Sequence, residues 1–214
     1  ASRMSIEQVA LYKSLAAAPA LTVEKIEGKA LDSFGEFSPD DATKAVLAPM
    51  AYQGILNTPL FQADLDNLGA FVVDHATHLP QKQSVTKPGF LVALPKDGQA
   101  PFPVVLFQHG GGRYKQDLFT IAKPYAGAGI AILGMDLPYH GDRSKISGKN
   151  GSDQDMADFD HPLLTRDNFR QASSDHIAVI TVIDVINAAL KPLTGVDETL
   201  DGTRVFFTGH SMGS

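Results

Sequence analysis

The chain has 214 residues, of which 43% are hydrophobic and 20% are charged, so it is long and apolar enough to bury a substantial core. Its net charge of −6 comes from 18 basic and 24 acidic residues, and no stripe of lysine and arginine could neutralise phosphates, which argues against a nucleic-acid partner. There is no cysteine, which excludes disulfides and thiolate nucleophiles, and no apolar run of about 18 residues that would span a membrane.

Residues 1–50 are predicted to form a helical extension in front of the main domain, residues 51–214. A helix is expected at residues 5–18, because Ser5 can cap its first turn and an Ala-rich body follows with apolar residues at helical spacing. The sequence Ser-Pro-Asp-Asp at residues 38–41 indicates a second helix start.

Four strands are predicted next, at residues 52–56, 70–74, 89–94 and 103–107. The last of these, PVVLF, is a continuous apolar run of the kind that is buried on both faces of a sheet. No helix pattern separates the earlier strands from one another. We therefore expect them to form an antiparallel lead-in at one edge of the sheet.

Helices and strands then alternate along the chain. A helix is predicted at residues 116–126, with Pro124 expected to bend or shorten its last turn. It is followed by a strand at 130–135, a polar stretch at 136–166, a long helix at 167–190 and a last strand at 203–208. This alternation predicts right-handed βαβ units, and hence an α/β domain with a mostly parallel sheet and flanking helices.

The motif Gly209-His210-Ser211-Met212-Gly213 directly follows the last predicted strand. A sharp turn between a strand and a helix can expose a serine hydroxyl, and glycines two positions to either side avoid side-chain clashes. The backbone N–H of Met212 would then point at an oxyanion formed on the substrate. The pattern is short enough to arise by chance, but its place after a strand favours Ser211 as a nucleophile.

A second motif, Gln108-His109-Gly110-Gly111-Gly112, follows the PVVLF strand. Acyl transfer needs another N–H donor opposite the nucleophile, and a glycine-rich turn lets the backbone approach the substrate oxygen. Gly111 is the first candidate for this donor and Gly110 the second. The alternatives are a plain tight turn or a phosphate-binding loop, although neither glycine pattern typical of phosphate loops is present.

Three segments in this order, PVVLFQHGGG, GMDLPYHGDRS and VFFTGHSMG, resemble the α/β-hydrolase superfamily over residues 89–214. The string FLVALPKDGQAPFPVVLFQHG is similar to secreted bacterial lipases of the virulence-factor lipase group. The resemblance implies cleavage of small-molecule or lipid carboxylic esters by a Ser–His–acid triad, without a metal or an organic cofactor. It also implies that Asp136, His140-Gly141 and Ser144 shape the loop after the fourth core strand.

None of the seven histidines stands where this family needs its general base. His140 is expected to be a hydrogen-bonding residue near the nucleophile, His109 an anchor of its own loop, and His210 a side chain that points away from the serine hydroxyl. In the family the acid and the histidine follow the nucleophile. We therefore expect a fold truncated after Ser211, inactive alone, and completed by a second polypeptide or a missing C-terminal segment.

Other chemistries on the same scaffold stay open, namely thioesterase, peptidase or lactone hydrolase activity, as does a non-catalytic binding module. A nucleotide-binding Rossmann protein would share the alternation but lacks the glycine fingerprint. His75 and His78 lack the further ligands that a metal needs. The acidic stretch within residues 147–158 is a candidate lid, and a secreted or periplasmic location is expected.

Overall fold

The computed structural model describes residues 21–63, 69–143, 145–146, 149–150 and 156–213. The helix expected at residues 5–18, Ser144 and most of the candidate lid lie outside the described residues. The described strands are β1 Thr22–Ala30, β2 Leu47–Leu60, β3 Ser84–Thr86, β4 Gly89–Pro95, β5 Phe102–Gln108, β6 Ala131–Met135, β7 Lys145–Ile146, β8 Lys149–Asn150 and β9 Leu200–Gly209. The described helices are α1 Asp41–Lys44, α2 Leu118–Gly127, α3 Pro162–Thr181 and α4 Ile183–Thr194, and 3-10 turns cover Leu31–Phe37, Lys115–Asp117, Gly141–Arg143 and Ser211–Gly213.

Seven strands form one mixed sheet in the order β1-β2-β4-β6-β5-β9, with β3 paired to β2. The lead-in strands pair antiparallel as far as the β4–β6 contact, whereas β6, β5 and β9 are parallel to one another. β7 and β8 form a separate two-stranded hairpin. The predicted α/β class, with an antiparallel lead-in and a parallel half, is confirmed.

The two faces of the sheet carry two separate hydrophobic clusters. Alternate residues of β5 divide between them: Val104 and Leu106 face one cluster, and Val105 and Phe107 face the other. Helices α3 and α4 pack on the first face, and α2 packs on the second. β5 is therefore buried on both sides, as its continuous apolar run predicts.

The prediction of one long helix at residues 167–190 is wrong in one respect, because the chain forms two helices there. Val182 leaves the helical region, with φ −119° and ψ 19°, between α3 and α4. It stands in a run of β-branched residues, which lose side-chain freedom in a helix and disfavour it. No single helix of the described residues is long and apolar enough to cross a membrane. α3 and α4 meet the combined requirement of length and composition only as a pair, and that pair is bent by 61°.

Of the other predictions for the first half of the chain, some differ from the structure and one is confirmed. The strand expected at residues 70–74 is wrong: only isolated bridges form there, because Phe71 donates its N–H to the Asp167 carboxylate and Asp74 caps the turn after it. The helix start at residues 38–41 is confirmed by α1, whose N-cap is Asp40. Residues 22–50, expected within a helical extension, include β1 and the start of β2, and helix α2 continues through Pro124 to Gly127.

β9 has a neighbouring strand on one side only among the described residues. Phe206 and Phe207 point to opposite faces of the sheet, as consecutive strand residues do, and each is 55% exposed. The strand that leads to Ser211 is therefore an apolar edge strand in this part of the chain.

Candidate active site

The backbone turns sharply where β9 ends. Ser211 has a φ of 55°, in the left-handed region that non-glycine residues rarely adopt, and it begins the 3-10 turn Ser211–Gly213. His210 donates its N–H to the carbonyl of Gln108 over 3.1 Å, and Gly213 donates to the carbonyl of His210 over 2.9 Å. The first bond holds the turn against the end of β5, and the second closes the turn itself.

Two glycines allow the turn after β9 to approach the turn after β5. A β-carbon on Gly213 would overlap the carbonyl oxygens of Gln108 and His109. A β-carbon on Gly110 would lie 3.1 Å from the β-carbon of Ser211. The parallel pairing of β5 with β9 places Gln108 opposite Gly209, so the two sequence motifs begin side by side.

His109 is fully buried and holds backbone groups on both sides of its ring. Its Nδ1 lies 2.8 Å from the carbonyl of Gly110, and its Nε2 accepts the N–H of Leu137 over 3.1 Å. Because a backbone N–H only donates, Nε2 carries no proton and Nδ1–H donates to Gly110. Burial lowers the pKa of His109 to about 4, with the neighbouring His140 adding to the shift and Asp136 opposing it. His109 is therefore a neutral anchor of its loop.

His140 holds the other end of the glycine turn. Its Nε2 accepts the N–H of Gly112 over 3.1 Å, and its Nδ1 lies 2.9 Å from the carbonyl of Pro138. The two imidazole centroids, of His109 and His140, are 5.0 Å apart. The N–H of Gly112 is therefore occupied, whereas no described residue accepts a hydrogen bond from the N–H of Gly110 or Gly111.

Asp136, at the end of β6, is a buried junction. Its carboxylate accepts the N–H of Lys115 over 2.8 Å, the Lys115 ammonium over 2.6 Å and the N–H of Asp142 over 3.2 Å. Burial opposes the charge of Lys115, but attraction to Asp136 and Asp142 outweighs it and raises the pKa of the ammonium. A charge-paired Asp136 thus fixes the loop after β6, which also holds His140.

Sequence reasoning did not single out Lys115, Arg143 or Asp175, three buried charged residues around this loop. Arg143 donates to the carbonyl of Asp136 over 3.2 Å and to the Asp175 carboxylate over 2.7 Å. A signal for Asp175 exists in the helix pattern: Asp167, Gln171 and Asp175 recur at steps of four residues, which places polar groups on a buried stripe of α3.

The side chain of Met212 packs beside an apolar cluster next to the turn. The buried members of this cluster are Leu137, Tyr139, Met156 and Ala172, and Phe169 joins it half-buried. It unites the loop after β6 with α3. The N–H of Met212 thus belongs to a residue that is packed in place.

None of the described residues is positioned as a general base for Ser211. No hydrogen bond joins the Ser211 hydroxyl to any described histidine; His75, His78 and His161 are exposed elsewhere, and His210 is exposed beside Gly110. His176 is buried on α3, where burial lowers its pKa and its ring lies 5.8 Å from that of Phe207. The described part of the site thus holds the serine, free backbone N–H groups and the side chains that anchor its loops, but no histidine bonded to the serine hydroxyl.

No protein-family model and no curated protein matches the sequence. Among solved structures, a Bacteroides fragilis protein named as an acetyl xylan esterase matches with a TM-score of 0.50 and 16% identity, over 98% of this chain and 46% of its own. An acetyl xylan esterase from Paenibacillus sp. R4 matches with a TM-score of 0.39 and 15% identity, over 96% of this chain and 50% of its own. A rice cell wall degrading esterase from Xanthomonas oryzae matches with a TM-score of 0.46 and 13% identity, over 90% of this chain and 42% of its own. The chain therefore spans about half the length of these structures, and the first likeness supports an α/β-hydrolase fold.

Proposed function

We propose that this chain supplies the nucleophile and the oxyanion-binding backbone of a serine hydrolase that cleaves carboxylic esters. The observation that carries the proposal is the position of Ser211, in a left-handed turn at the end of β9 and against Gly110. Such a turn exposes a hydroxyl to a substrate, and a glycine opposite it leaves room for the reacting carbonyl. The Bacteroides fragilis structure, which is named as an acetyl xylan esterase, agrees with this reaction class.

In the proposed reaction the Ser211 hydroxyl oxygen attacks the ester carbonyl carbon while a base takes its proton. The carbonyl oxygen becomes an oxyanion that accepts hydrogen bonds from the backbone N–H groups of Met212 and Gly111. Gly110 is the alternative donor to Gly111. The carbon–oxygen bond to the alcohol then breaks, and the alcohol leaves with the proton. Water hydrolyses the acyl-enzyme in the same way and releases the carboxylic acid.

The base and its acid are proposed to lie beyond residue 214, on a further segment or a second polypeptide. The half-exposed Phe206 and Phe207 support this proposal, because an apolar edge strand needs a neighbour to escape aggregation. The 214 residues alone would then be inactive, since a serine hydroxyl without a base is a weak nucleophile. Backbone amides of β9 that point away from β5 should be protected from hydrogen exchange in the complete protein; rapid exchange of these amides would contradict a covering segment.

The proposal is tested by ester turnover with the complete protein that carries this chain. Hydrolysis of p-nitrophenyl acetate and p-nitrophenyl octanoate should be lost in Ser211→Ala, because no other serine or threonine of the described residues has a backbone φ in the left-handed region. Turnover that persists unchanged in Ser211→Ala would refute the assignment. Hydrolysis of a peptide or thioester substrate in preference to both esters would replace ester cleavage by one of the other hydrolase chemistries.

A further inference from the structure

One peptide group at the end of β6 is held from both sides. The carbonyl of Asp136 accepts a hydrogen bond from Nη1 of Arg143 over 3.2 Å, and the N–H of Leu137, in the same peptide, donates to Nε2 of His109 over 3.1 Å. A guanidinium on the carbonyl polarises the peptide and makes its N–H a stronger donor. Arg143 therefore strengthens the bond that the peptide makes to His109.

Arg143 is itself fixed by a buried carboxylate. Its side chain is 6% exposed and that of Asp175 is 1% exposed, and their charged atoms are 2.7 Å apart. The other oxygen of Asp175 accepts the amide of Gln171 over 2.9 Å and the hydroxyl of Thr58 over 3.2 Å. Because Nη1 donates both to the Asp175 carboxylate and to the Asp136 carbonyl, these two acceptors orient the guanidinium, and loss of either charged partner would leave a buried charge unpaired.

The Asp175–Arg143 pair and the peptide it holds, here called the clamp, act on the glycine turn through His109. Because Nε2 accepts the Leu137 N–H, the proton sits on Nδ1 and binds the carbonyl of Gly110 over 2.8 Å. That carbonyl shares a peptide with the N–H of Gly111, and in a trans peptide the two point in opposite directions. Holding the Gly110 oxygen thus sets the direction of the Gly111 N–H, the group assigned to the oxyanion.

We infer that Arg143 is a positioning residue for this hydrolysis: held by Asp175, it clamps the Asp136–Leu137 peptide onto His109 and so aims the N–H of Gly111. The inference rests on the proposed function, since aiming a donor matters only if an oxyanion forms. It adds a role for a charge pair that lies on α3 and the loop after β6, outside both glycine motifs. Gly111 would contact substrate, whereas Arg143 and Asp175 act through other groups.

The test compares Arg143→Gln, Asp175→Asn and the double variant in the complete protein, with rates normalised to the fraction of Ser211 that a fluorophosphonate titrates. Arg143→Gln should lower kcat by about tenfold to a hundredfold, as a misaimed group does, while KM changes by less than about threefold. The double variant should match Arg143→Gln within about threefold, because Asp175 acts through Arg143. Lys191→Gln, which breaks an exposed pair with Asp197, should retain the wild-type kcat.

A second readout separates positioning from mere stability. Imidazole nitrogen shifts of His109, measured by NMR on histidine-labelled protein, should show a single Nδ1–H tautomer in the wild type and a tautomer mixture in Arg143→Gln. Arg143→Lys, which keeps the charge, serves if Arg143→Gln does not fold, and should give an intermediate kcat. A normalised kcat at the wild-type value, or an unchanged tautomer, would overturn the inference. A wild type with the expected tautomer but no ester turnover would refute the proposed function instead, and with it the catalytic role of the clamp.

Discussion

Gly110 faces Ser211 so closely that a β-carbon on Gly110 would lie 3.1 Å from the serine β-carbon and 3.1 Å from the carbonyl oxygen of His210. The contact arises because β5 and β9 are parallel neighbours, whose carboxyl ends meet at one edge of the sheet. Motifs that are about 100 residues apart in the sequence thus form one surface. On the proposed function, the ester would react at this surface.

Replacing Gly110 by alanine should impair catalysis while the protein stays folded. The added methyl group would press on the Ser211 side chain and the His210 carbonyl, so the nucleophile must shift by a few tenths of an ångström. We expect kcat/KM for ester hydrolysis to fall by about tenfold or more, as misplacement of reacting groups does. Gly127→Ala, at a glycine with open space around its β position, is the matched control and should keep wild-type kinetics. Wild-type kinetics in Gly110→Ala would show that the contact is irrelevant to catalysis.

Gly213→Ala should act on stability first. Its β-carbon would meet the backbone oxygens of Gln108 and His109, and backbone cannot rotate away as a flexible side chain does. The free energy of unfolding should drop by roughly 1–3 kcal/mol, the usual cost of overpacking a tight site. Denaturant titration of the variant beside Gly127→Ala measures the difference, and equal midpoints would contradict the close approach of the two turns.

His140→Phe should loosen the glycine turn. Phenylalanine fills the space of the ring but cannot accept the N–H of Gly112 or donate to the carbonyl of Pro138. The carbonyl of the buried Pro138 loses its donor, which costs about 1–3 kcal/mol for a buried unsatisfied group, whereas the N–H of the exposed Gly112 can bond to water. We expect lower stability in urea titration and lower kcat/KM together. If His140→Phe loses all activity with no change in stability, His140 is a catalytic group and not an anchor.

Acid should destabilise the protein through His109. Its pKa is lowered from 6.5 to about 4 in the folded state, mainly by burial, so the unfolded chain binds a proton between these values and the folded protein does not. The contribution of His109 to the free energy of unfolding is fully present above pH 6.5. It decreases as the pH falls towards 4, by up to about 3 kcal/mol. His109→Gln removes the titrating group, so its unfolding free energy should change less between pH 7 and pH 4. Equal pH dependence in both proteins would contradict the buried neutral imidazole.

The parts of the site that sequence predicts are those set by local pattern. Gly110 and Ser211 could be paired in advance because each motif follows an apolar strand, and parallel strands bring their ends together. The anchoring histidines were expected for the same reason, since His109 and His140 stand in the loops after neighbouring strands. The roles of Gly111 and Met212 at an oxyanion stay predictions.

The parts that sequence misses depend on contacts between distant segments. Asp175 and Arg143 are 32 residues apart, and nothing in their spacing reveals that they meet until α3 is packed against the loop after β6. The strand expected at residues 70–74 failed for a related reason, because Phe71 finds its hydrogen bond on the Asp167 side chain. The break at Val182 falls in a run of β-branched residues that disfavour a helix, but helical periodicity alone does not reveal where the helix is interrupted.

The most direct test of the central claim is covalent labelling of the complete protein with a fluorophosphonate, followed by peptide mapping in a mass spectrometer. Because the reagent bonds to an activated serine oxygen, we predict one adduct per chain, on the peptide that contains Ser211. The adduct should be absent in Ser211→Ala and present in Ser173→Ala, a change on the exposed side of α3. A folded protein that takes up no label, or that is labelled equally in Ser211→Ala, would contradict the claim that Ser211 is the nucleophile.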